Sequence, residues 1–412
     1  MDADILSIGT EVSTGAVVNT NTAWLARALM AVGIVPRRHV TVGDRLDAVR
    51  DEITRAAREV EVVIVTGGLG PTLDDMTRDA LAAALGRPLE RDEASVEHIR
   101  NLFRKMNRPM HESNLQQALV PRGARTLENP WGTAPGLRAE LHRAVVFCLP
   151  GVPREMERMF ERHVVPELRE RCGAAVAVRV LRTFGQGESF IGQQIAAFMD
   201  PARNPSVGTQ ASEGLISVRI IGRADSGPEA QRLVDADAEA IRGMLGEIVF
   251  GEDDDTLPGV VGRMLSDRGR TLATAESCTG GMIAASITDV SGSSRYFLRG
   301  YVTYSNESKS ELLGVPPELI AAHGAVSEPV AEAMAVGCLQ RAGADYALSV
   351  TGVAGPTGGT ADKPVGLVFV GLADRSECRV HRLQFSDHLN RWAIRDRTCK
   401  TALNLLRLRL LA

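Results

Sequence analysis

Aromatic residues make up only 4% of this 412-residue sequence. Large rings therefore cannot dominate its cores, and Ala, Val and Leu must do most of the packing. Cysteine is sparse and scattered: Cys148, Cys172, Cys278, Cys338, Cys378 and Cys399. No two have CxxC spacing, so neither a zinc knuckle nor a disulfide framework is indicated, and a reducing cytoplasm is the expected setting. No apolar run approaches the roughly 18 residues that a membrane span needs. Basic charge is not in excess: 47 Lys and Arg face 51 Asp and Glu, a net −4. That balance, with no basic, aromatic-interleaved stretch, argues against direct nucleic-acid binding or an anionic membrane partner. The start, Met1-Asp2-Ala3-Asp4, lacks the basic residues and cleavage site of a signal peptide.

What is present is ordinary for a globular enzyme: 44% hydrophobic and 24% charged residues, with 40 Gly and 19 Pro for tight turns. The length suits two or three domains. Over the first part of the chain, strand-like and helix-like stretches alternate, the pattern of an α/β domain. Ile5–Ile8 reads as a strand, with a helix over Asn21–Val32 for which Asn21 is a plausible cap. Val62–Val65 and Ala144–Leu149 are unbroken apolar runs, as in strands buried on both faces. A shorter pattern follows from about Ala174, with strands at Val176–Phe184 and Leu215–Ile221 and helices at Glu188–Met199 and Pro228–Leu245, enough for a small α+β domain. The acidic stretch Gly251–Asp255 reads as a linker or exposed turn. The last third returns to α/β, with strands at Thr271–Ala275, Tyr346–Val350 and Gly366–Leu372 and a closing helix over Asn390–Leu410.

Two loops could carry chemistry. Val62–Val65 empties into Thr66-Gly67-Gly68-Leu69-Gly70-Pro71-Thr72, a strand-to-helix turn of the kind whose free N–H groups bind phosphate. The same glycines would equally serve a tight turn. Asp74, Asp75 and Asp44 could hold a hard cation such as Mg²⁺, or could cap helices. His111-Glu112-Ser113-Asn114 and Pro130–Gly136 could line a nucleotide pocket or be loop structure. In the last third, Ser277 and Cys278 sit where a strand turns into a helix, followed by Thr279-Gly280-Gly281. Either could be a nucleophile with N–H groups beside it for an oxyanion. A cysteine usually has a histidine partner, and none lies between His163 and His323. Lys309 is the only Lys between Lys105 and Lys363. With Tyr304 it could relay the proton of a serine if the amine is desolvated; the alternative is a solvated Lys after a packed strand.

The runs IGTEVSTGAVVNTN, TGGLGPTLDDMTRDAL, NRPMHESNLQQALVP, GTAPG and LPGVPREM, then TAESCTGG, YVTYSNESKSELLGV, GAVSEPVAEAMA and TGVAGPTGGTADKPVGLVFVGL, resemble the CinA family of competence/damage-inducible proteins. The resemblance spans essentially the whole chain. It implies an α/β molybdopterin-binding-like nucleotide pyrophosphatase domain at 1–172, a small α+β domain at 173–252 and an α/β nicotinamide-nucleotide amidase domain at 253–412. The first would hydrolyse ADP-ribose with a divalent metal and potassium. The last would deamidate nicotinamide mononucleotide (NMN) to nicotinic acid mononucleotide and ammonia without a cofactor, within the recycling of NAD. The catalytic serine, tyrosine and lysine of the amidase group fall on Ser277, Tyr304 and Lys309. Substrate contacts are expected at Thr279, Gly280, Gly281, Thr351, Gly352, Gly355, Gly358, Gly359 and Arg391. Nucleotide contacts in the first domain are expected at Thr10, Asn21, Gly67, Gly68, Gly70, Thr72 and Asn114, with Asp44 and Asp75 at the metal. A cytoplasmic homodimer is expected. One departure stands out: before Arg391, Leu389 and Asn390 replace the family's Gly and Asp. Two other readings remain: an amidase whose N-terminal module binds a nucleotide or pterin without turnover, and a non-enzymatic adaptor in competence or DNA damage.

Overall fold

The computed structural model describes every residue except Cys172 and Ala174, so those two, at the expected first boundary, lie outside the described residues. Its contacts form two compact units, Met1–Val178 with Ile221–Val234, and Arg179–Ile220 with Asp235–Ala412. Among the described residues, no helix is long and apolar enough to cross a membrane.

The N-terminal chain runs β1 (Asp2–Ile8), α1 (Thr10–Ser13), α2 (Thr20–Ala31), β2 (Val35–Val42), α3 (Leu46–Glu59), β3 (Val62–Thr66) and α4 (Thr77–Leu85). It continues through β4 (Leu89–Arg91), α5 (Glu93–Lys105), β5 (Leu119–Pro121), β6 (Arg125–Leu127), β7 (Gly136–Leu141), β8 (Ala144–Leu149), α6 (Pro153–Met159) and α7 (Val165–Arg171). Six strands form one sheet in the order β2-β1-β3-β8-β7-β6. The first four are parallel, and β7 and β6 add on antiparallel. Every residue of β3 and β8 is buried, because helices cover both faces. Val49, Ile53 and Leu81 pack on one side, and Leu25, Leu29, Met156 and Phe160 on the other. The helix cap falls elsewhere than expected. Asn19, not Asn21, begins α2, its side chain accepting from Thr22 N–H at 3.1 Å, which frees Asn21 to reach across the sheet.

The middle segment supplies β9 (Ala175–Thr183), α8 (Glu188–Gln194), β10 (Ser206–Ser212), β11 (Leu215–Ala224), α9 (Gly227–Leu245) and β12 (Val249–Glu252), with sheet order β10-β11-β9-β12. The acidic stretch is therefore no linker. Gly251 and Glu252 lie in β12, paired with Arg182 and Leu181 of β9. Asp253 accepts from Val180 N–H at 2.9 Å and pairs with Arg179. Glu252, Asp253 and Asp255 are held by Arg242, Arg179 and Arg263, while Asp254 stays exposed in the turn that follows β12.

The C-terminal part runs α10 (Leu257–Asp267), β13 (Leu272–Glu276), α11 (Met282–Thr288), β14 (Phe297–Val302), α12 (Asn306–Leu313), α13 (Pro317–His323), α14 (Glu328–Ala342), β15 (Tyr346–Gly352), β16 (Leu367–Asp374), β17 (Cys378–Gln384) and α15 (Arg391–Leu411). Its sheet order is β14-β13-β15-β16-β17. The first three strands are parallel and the last two antiparallel. Residues of α10 and α15 pack with Leu348, Val350, Val368 and Val370 on one face. Leu313, Ile320, Val330 and Met334 pack with Ala273, Ala275 and Ala347 on the other. Ser277 follows β13 directly, so it emerges at the carboxyl ends of neighbouring parallel strands, where α/β sheets form ligand crevices.

Helix α12, which carries Lys309, approaches α14 closely at Gly337. A Cβ there would overlap the backbone carbonyl oxygen of Leu313. Gly337→Ala should therefore push α12 outward and lower stability by about 1–3 kcal/mol, as overpacking does. A fall in the urea midpoint at unchanged slope is the expected result, and an unchanged midpoint would refute the packing argument.

Candidate active sites

The C-terminal site is built where β13 ends. Ser277 N–H donates to Val350 O at 3.0 Å, which ties the start of this turn to β15. Lys309 lies in the first turns of α12, whose N-cap Ser305 accepts from Ser308 N–H at 3.1 Å. Its side chain is 1% exposed. Its Nζ is 3.3 Å from Ser277 Oγ, 2.8 Å from Thr303 O and 3.4 Å from the carbonyls of Tyr304 and Ser305. No carboxylate pairs with it among the described residues. Burial pulls its pKa below the ordinary lysine value, opposed by the negative charges that Cys278 and Glu307 can carry. A partly neutral amine next to a serine hydroxyl can take its proton.

Cys278, the alternative nucleophile, is buried, and burial pushes its thiol up to about 12. It stays protonated near neutral pH and is a poor nucleophile. Tyr304 is placed differently from the expectation. It is 62% exposed, and its phenol accepts from Arg391 at 3.1 Å, with no hydrogen bond to Ser277 or Lys309. Its contribution to Lys309 is its backbone carbonyl.

Arg391 links three segments, because its other nitrogen donates to Gly355 O at 2.8 Å. The Leu389-Asn390 departure keeps the geometry: the Asn390 side chain caps α15 by accepting from Ala393 N–H at 2.8 Å, and Leu389 packs against the core. Gly280 and Gly281 adopt φ of 59° and 92°, which other residues rarely tolerate. The turn uses the N–H groups of Gly280 and Met282 on Ser277 O and Thr279 O. Those of Cys278, Thr279 and Gly281 make no backbone hydrogen bond among the described residues. Thr279 Oγ1 is buried without a partner among the described residues. Thr351 is not aimed at a ligand: its hydroxyl donates to Ala325 O at 2.7 Å. At Gly352 a Cβ would crowd Val368, so that glycine serves strand packing. Gly358 and Gly359 are exposed and make no hydrogen bond with the Ser277 cluster.

Two residues of this site were not expected. Glu276 is fully buried, and its carboxylate accepts from Ile283 and Ala284 N–H at 3.0 and 2.8 Å. It caps α11 and closes the turn that displays Ser277. Arg395 donates to Thr279 O at 2.6 Å, while its Nε is buried without a partner. It follows Arg391 by four residues on α15, a helical spacing that places the two on one face and was legible in the sequence. Neither arginine pairs with a carboxylate among the described residues.

In the N-terminal unit a cavity of about 430 Å³ opens beyond β1, β3 and β8, lined by Asn21, Gly67, Gly68, Gly70, Asp75, Gln117 and Glu155 among others. The glycine turn is not the free N–H cradle expected. Gly67 N–H donates to Leu149 O at 3.1 Å. Asp75 accepts from Gly70 N–H at 2.7 Å, from Thr72 N–H at 2.9 Å and from the Thr72 hydroxyl at 2.6 Å. Its carboxylate fills part of the nest that an anion would occupy. Buried Arg78 pins the same loop through Leu69 O and Gly70 O. Asn21 donates to Thr66 Oγ1 and Gly151 O. Thr10 and Asp44 bind each other, Thr10 N–H donating to the Asp44 carboxylate at 2.7 Å, and neither lines the cavity. Asn114 closes a local turn by accepting from His111 N–H and also stands outside it.

The donors present suit a hard cation. Asp75 shares the cavity with Asn21 and Gln117, whose amide oxygens are buried and without partners among the described residues. No group of three or more His, Cys, Asp or Glu gathers there or elsewhere among the described residues. A cation would therefore depend on water and substrate phosphate for most of its ligands, as Mg²⁺ commonly does.

Three family models match in succession: "Probable molybdopterin binding domain" over residues 4–170, "Damage-inducible protein CinA KH domain" over 178–251 and "CinA C-terminal domain" over 254–410. A competence-damage inducible protein of Moorella thermoacetica is 46% identical over 98% of this chain and 98% of its own length. A CinA-like protein of Geobacter sp. (strain M21) is 45% identical over 98% of this chain and 97% of its own. A solved chain, the competence/damage inducible protein CihA from Agrobacterium tumefaciens, is 42% identical, covering 38% of this chain and 94% of that one, with a TM-score of 0.37. With relatives this similar along its full length, the chain belongs to the CinA family, and a molybdopterin-binding-like domain precedes its CinA KH and C-terminal domains.

Proposed function

We propose that this chain is a hydrolase with two sites: a C-terminal amidase that converts NMN to nicotinic acid mononucleotide and ammonia, and an N-terminal hydrolase of ADP-ribose. The observation that carries the first is the buried amine of Lys309, without an ion pair among the described residues and 3.3 Å from Ser277 Oγ. Neutral Lys309 takes the Ser277 proton as Oγ attacks the carboxamide carbon. N–H groups of Cys278, Thr279 and Gly281 face the oxygen that becomes negative. Lys309 then gives the proton to the departing ammonia, and water, deprotonated by the same amine, releases the acid from Ser277. Arg391 and Arg395, free of carboxylates among the described residues, would hold the nucleotide phosphate. Tyr304 orients Arg391 through its phenol.

For the N-terminal cavity, the oxygen donors favour a phosphate-bearing substrate held through a cation, since the Gly67, Gly70 and Thr72 N–H groups of the glycine turn are already used. Asp75, with the amide oxygens of Asn21 and Gln117, would hold a divalent cation or potassium, which would supply charge neutralisation at the phosphates. A cytoplasmic homodimer fits a nucleotide enzyme of this kind and is tested by sedimentation.

Ser277→Ala should lower ammonia release from NMN by roughly 10³-fold or more, Lys309→Ala comparably, and the double variant little further, since the pair acts as a unit. Cys278→Ala should keep most activity. A dead Cys278→Ala beside an active Ser277→Ala would overturn the assignment.

The pH dependence has a definite sign. Lys309 acts as a base only when neutral, so kcat/KM for NMN rises with pH through its pKa. Burial lowers that pKa from 10.5, so the midpoint of the rise should lie below 10.5 and disappear in Lys309→Ala. A midpoint at or above the ordinary lysine value would contradict a desolvated base.

Asp75→Ala should remove ADP-ribose hydrolysis while leaving NMN deamidation nearly intact, because it frees the Gly70–Thr72 turn in a separate unit. Equal loss of both activities in a folded variant would sink the two-site reading.

A further inference from the structure

We propose that Glu155 is the general base of the N-terminal cavity, receiving the proton of the water that attacks a phosphoanhydride; this rests on the reading of that cavity as an ADP-ribose hydrolase. Glu155 is the third residue of α6 and lines the cavity together with Gly67–Pro71 and Asp75. Several other carboxylates of this unit have structural partners, and Glu11, which also lines the cavity, is exposed where Glu155 is half-buried. Asp4 pairs with Arg55, Glu167 with Arg138, and Asp75 with the N–H groups of its own loop. Glu155 has no ion pair among the described residues, although Arg154 and Arg158 are its neighbours in sequence. Arg158 instead stands over the Trp131 ring, 5.5 Å from its centre.

The carboxylate is nevertheless held firmly. Asn129, 1% exposed, donates to Glu155 Oε2 at 2.7 Å and to Ala134 O at 2.9 Å, and accepts from Trp131 N–H at 3.2 Å. Gly132 lies against it so closely that a Cβ would overlap the carboxylate. One oxygen is thus fixed by a buried amide, and Oε1 makes no hydrogen bond with the protein among the described residues. A positioned carboxylate with one open oxygen facing a cavity it shares with Asp75 has the geometry of a proton acceptor. Burial also raises its pKa, against the Asn129 hydrogen bond.

The step balances as follows. Water oxygen bonds to one phosphorus of the anhydride while its proton passes to Glu155. The bond from that phosphorus to the bridging oxygen breaks, and the bridging oxygen leaves with the electron pair on the second phosphate. Glu155 then returns its proton to solvent. The products are AMP and ribose 5-phosphate.

The test uses the full chain and Glu155→Gln, which keeps size and the contact with Asn129 but cannot accept the proton. ADP-ribose turnover is measured across a Mg²⁺ titration, binding of α,β-methylene ADP-ribose by calorimetry, and NMN deamidation in the same samples. The expected result is a kcat lower by about 10²–10⁴-fold, the scale of general-base catalysis, with analogue affinity, KM and the half-activating Mg²⁺ concentration essentially unchanged. Glu155→Asp, which keeps a carboxylate on a shorter stem, should recover part of the turnover. Turnover retained by Glu155→Gln overturns the proposal. So does loss accompanied by a much higher Mg²⁺ requirement, which would make Glu155 a metal ligand, or by lost analogue binding, which would make it a structural support. A wild-type chain that binds the analogue but turns over no ADP-ribose removes the hydrolase reading, and the base with it. That outcome differs from the others because it appears before any substitution.

Discussion

The amine of Lys309 is enclosed by protein, and no carboxylate forms an ion pair with it among the described residues; the more distant Glu307 only partly compensates its charge. Three backbone carbonyls, those of Thr303, Tyr304 and Ser305, surround it instead. Dipoles of this kind compensate an ammonium less completely than water or an ion pair does, so burial favours the neutral form. Keeping the amine there requires a rigid frame. The N-cap of α12 fixes the start of the helix, the contact at Gly337 fixes its distance from α14, and Thr303 N–H bonds to Glu276 O beside the nucleophile at 2.8 Å. The approach of Lys309 Nζ to Ser277 Oγ depends on these backbone constraints as much as on the two side chains that meet.

A common device stabilises the loops of both units. Each has an acidic side chain that accepts backbone N–H groups of its own turn: Asp75 at Gly70 and Thr72, and Glu276 at Ile283 and Ala284. An internal carboxylate of this kind shapes a glycine-rich turn before any ligand arrives, at the cost of N–H groups that could have held one. Glu155 differs in kind, because a buried Asn holds it and its second oxygen is left open. The arginines divide in the same way. Arg78 is spent on loop carbonyls, whereas Arg391 and Arg395 each give one donor to a carbonyl beside the Ser277 turn and pair with no carboxylate among the described residues.

Where the resemblance leads one to expect Gly-Asp, this chain has Leu389-Asn390, and Asn390 caps α15. An aspartate at that place could cap α15, and asparagine does so through the same side-chain oxygen. Leu389 finds apolar neighbours in the core. The orientation of Arg391 therefore rests on the cap and on its bonds to Gly355 and Tyr304, none of which needs the family's usual pair.

The sequence by itself determined the α/β layering of both ends of the chain. Unbroken apolar runs such as Val62–Val65 and Ala144–Leu149 can be satisfied only by strands covered on both faces. It also brought Ser277 and Lys309 forward, because a nucleophile turn and a single lysine over a long stretch leave few partners. Tertiary structure alone decided what the polar side chains do. Asn21 and Asn19 differ by two positions, yet one caps a helix and the other reaches Gly151. Asp44 and Asp75 look equivalent as metal ligands, yet only Asp75 lines the cavity. Tyr304 sits five residues from Lys309 but turns its phenol to Arg391. The acidic run at Gly251–Asp255 is indistinguishable from a linker until β9 pairs with β12. Hydrophobic periodicity is a property of neighbouring residues and survives in one dimension. Hydrogen-bond partners tens of residues away do not, because which donor meets which acceptor is fixed only when the sheets close.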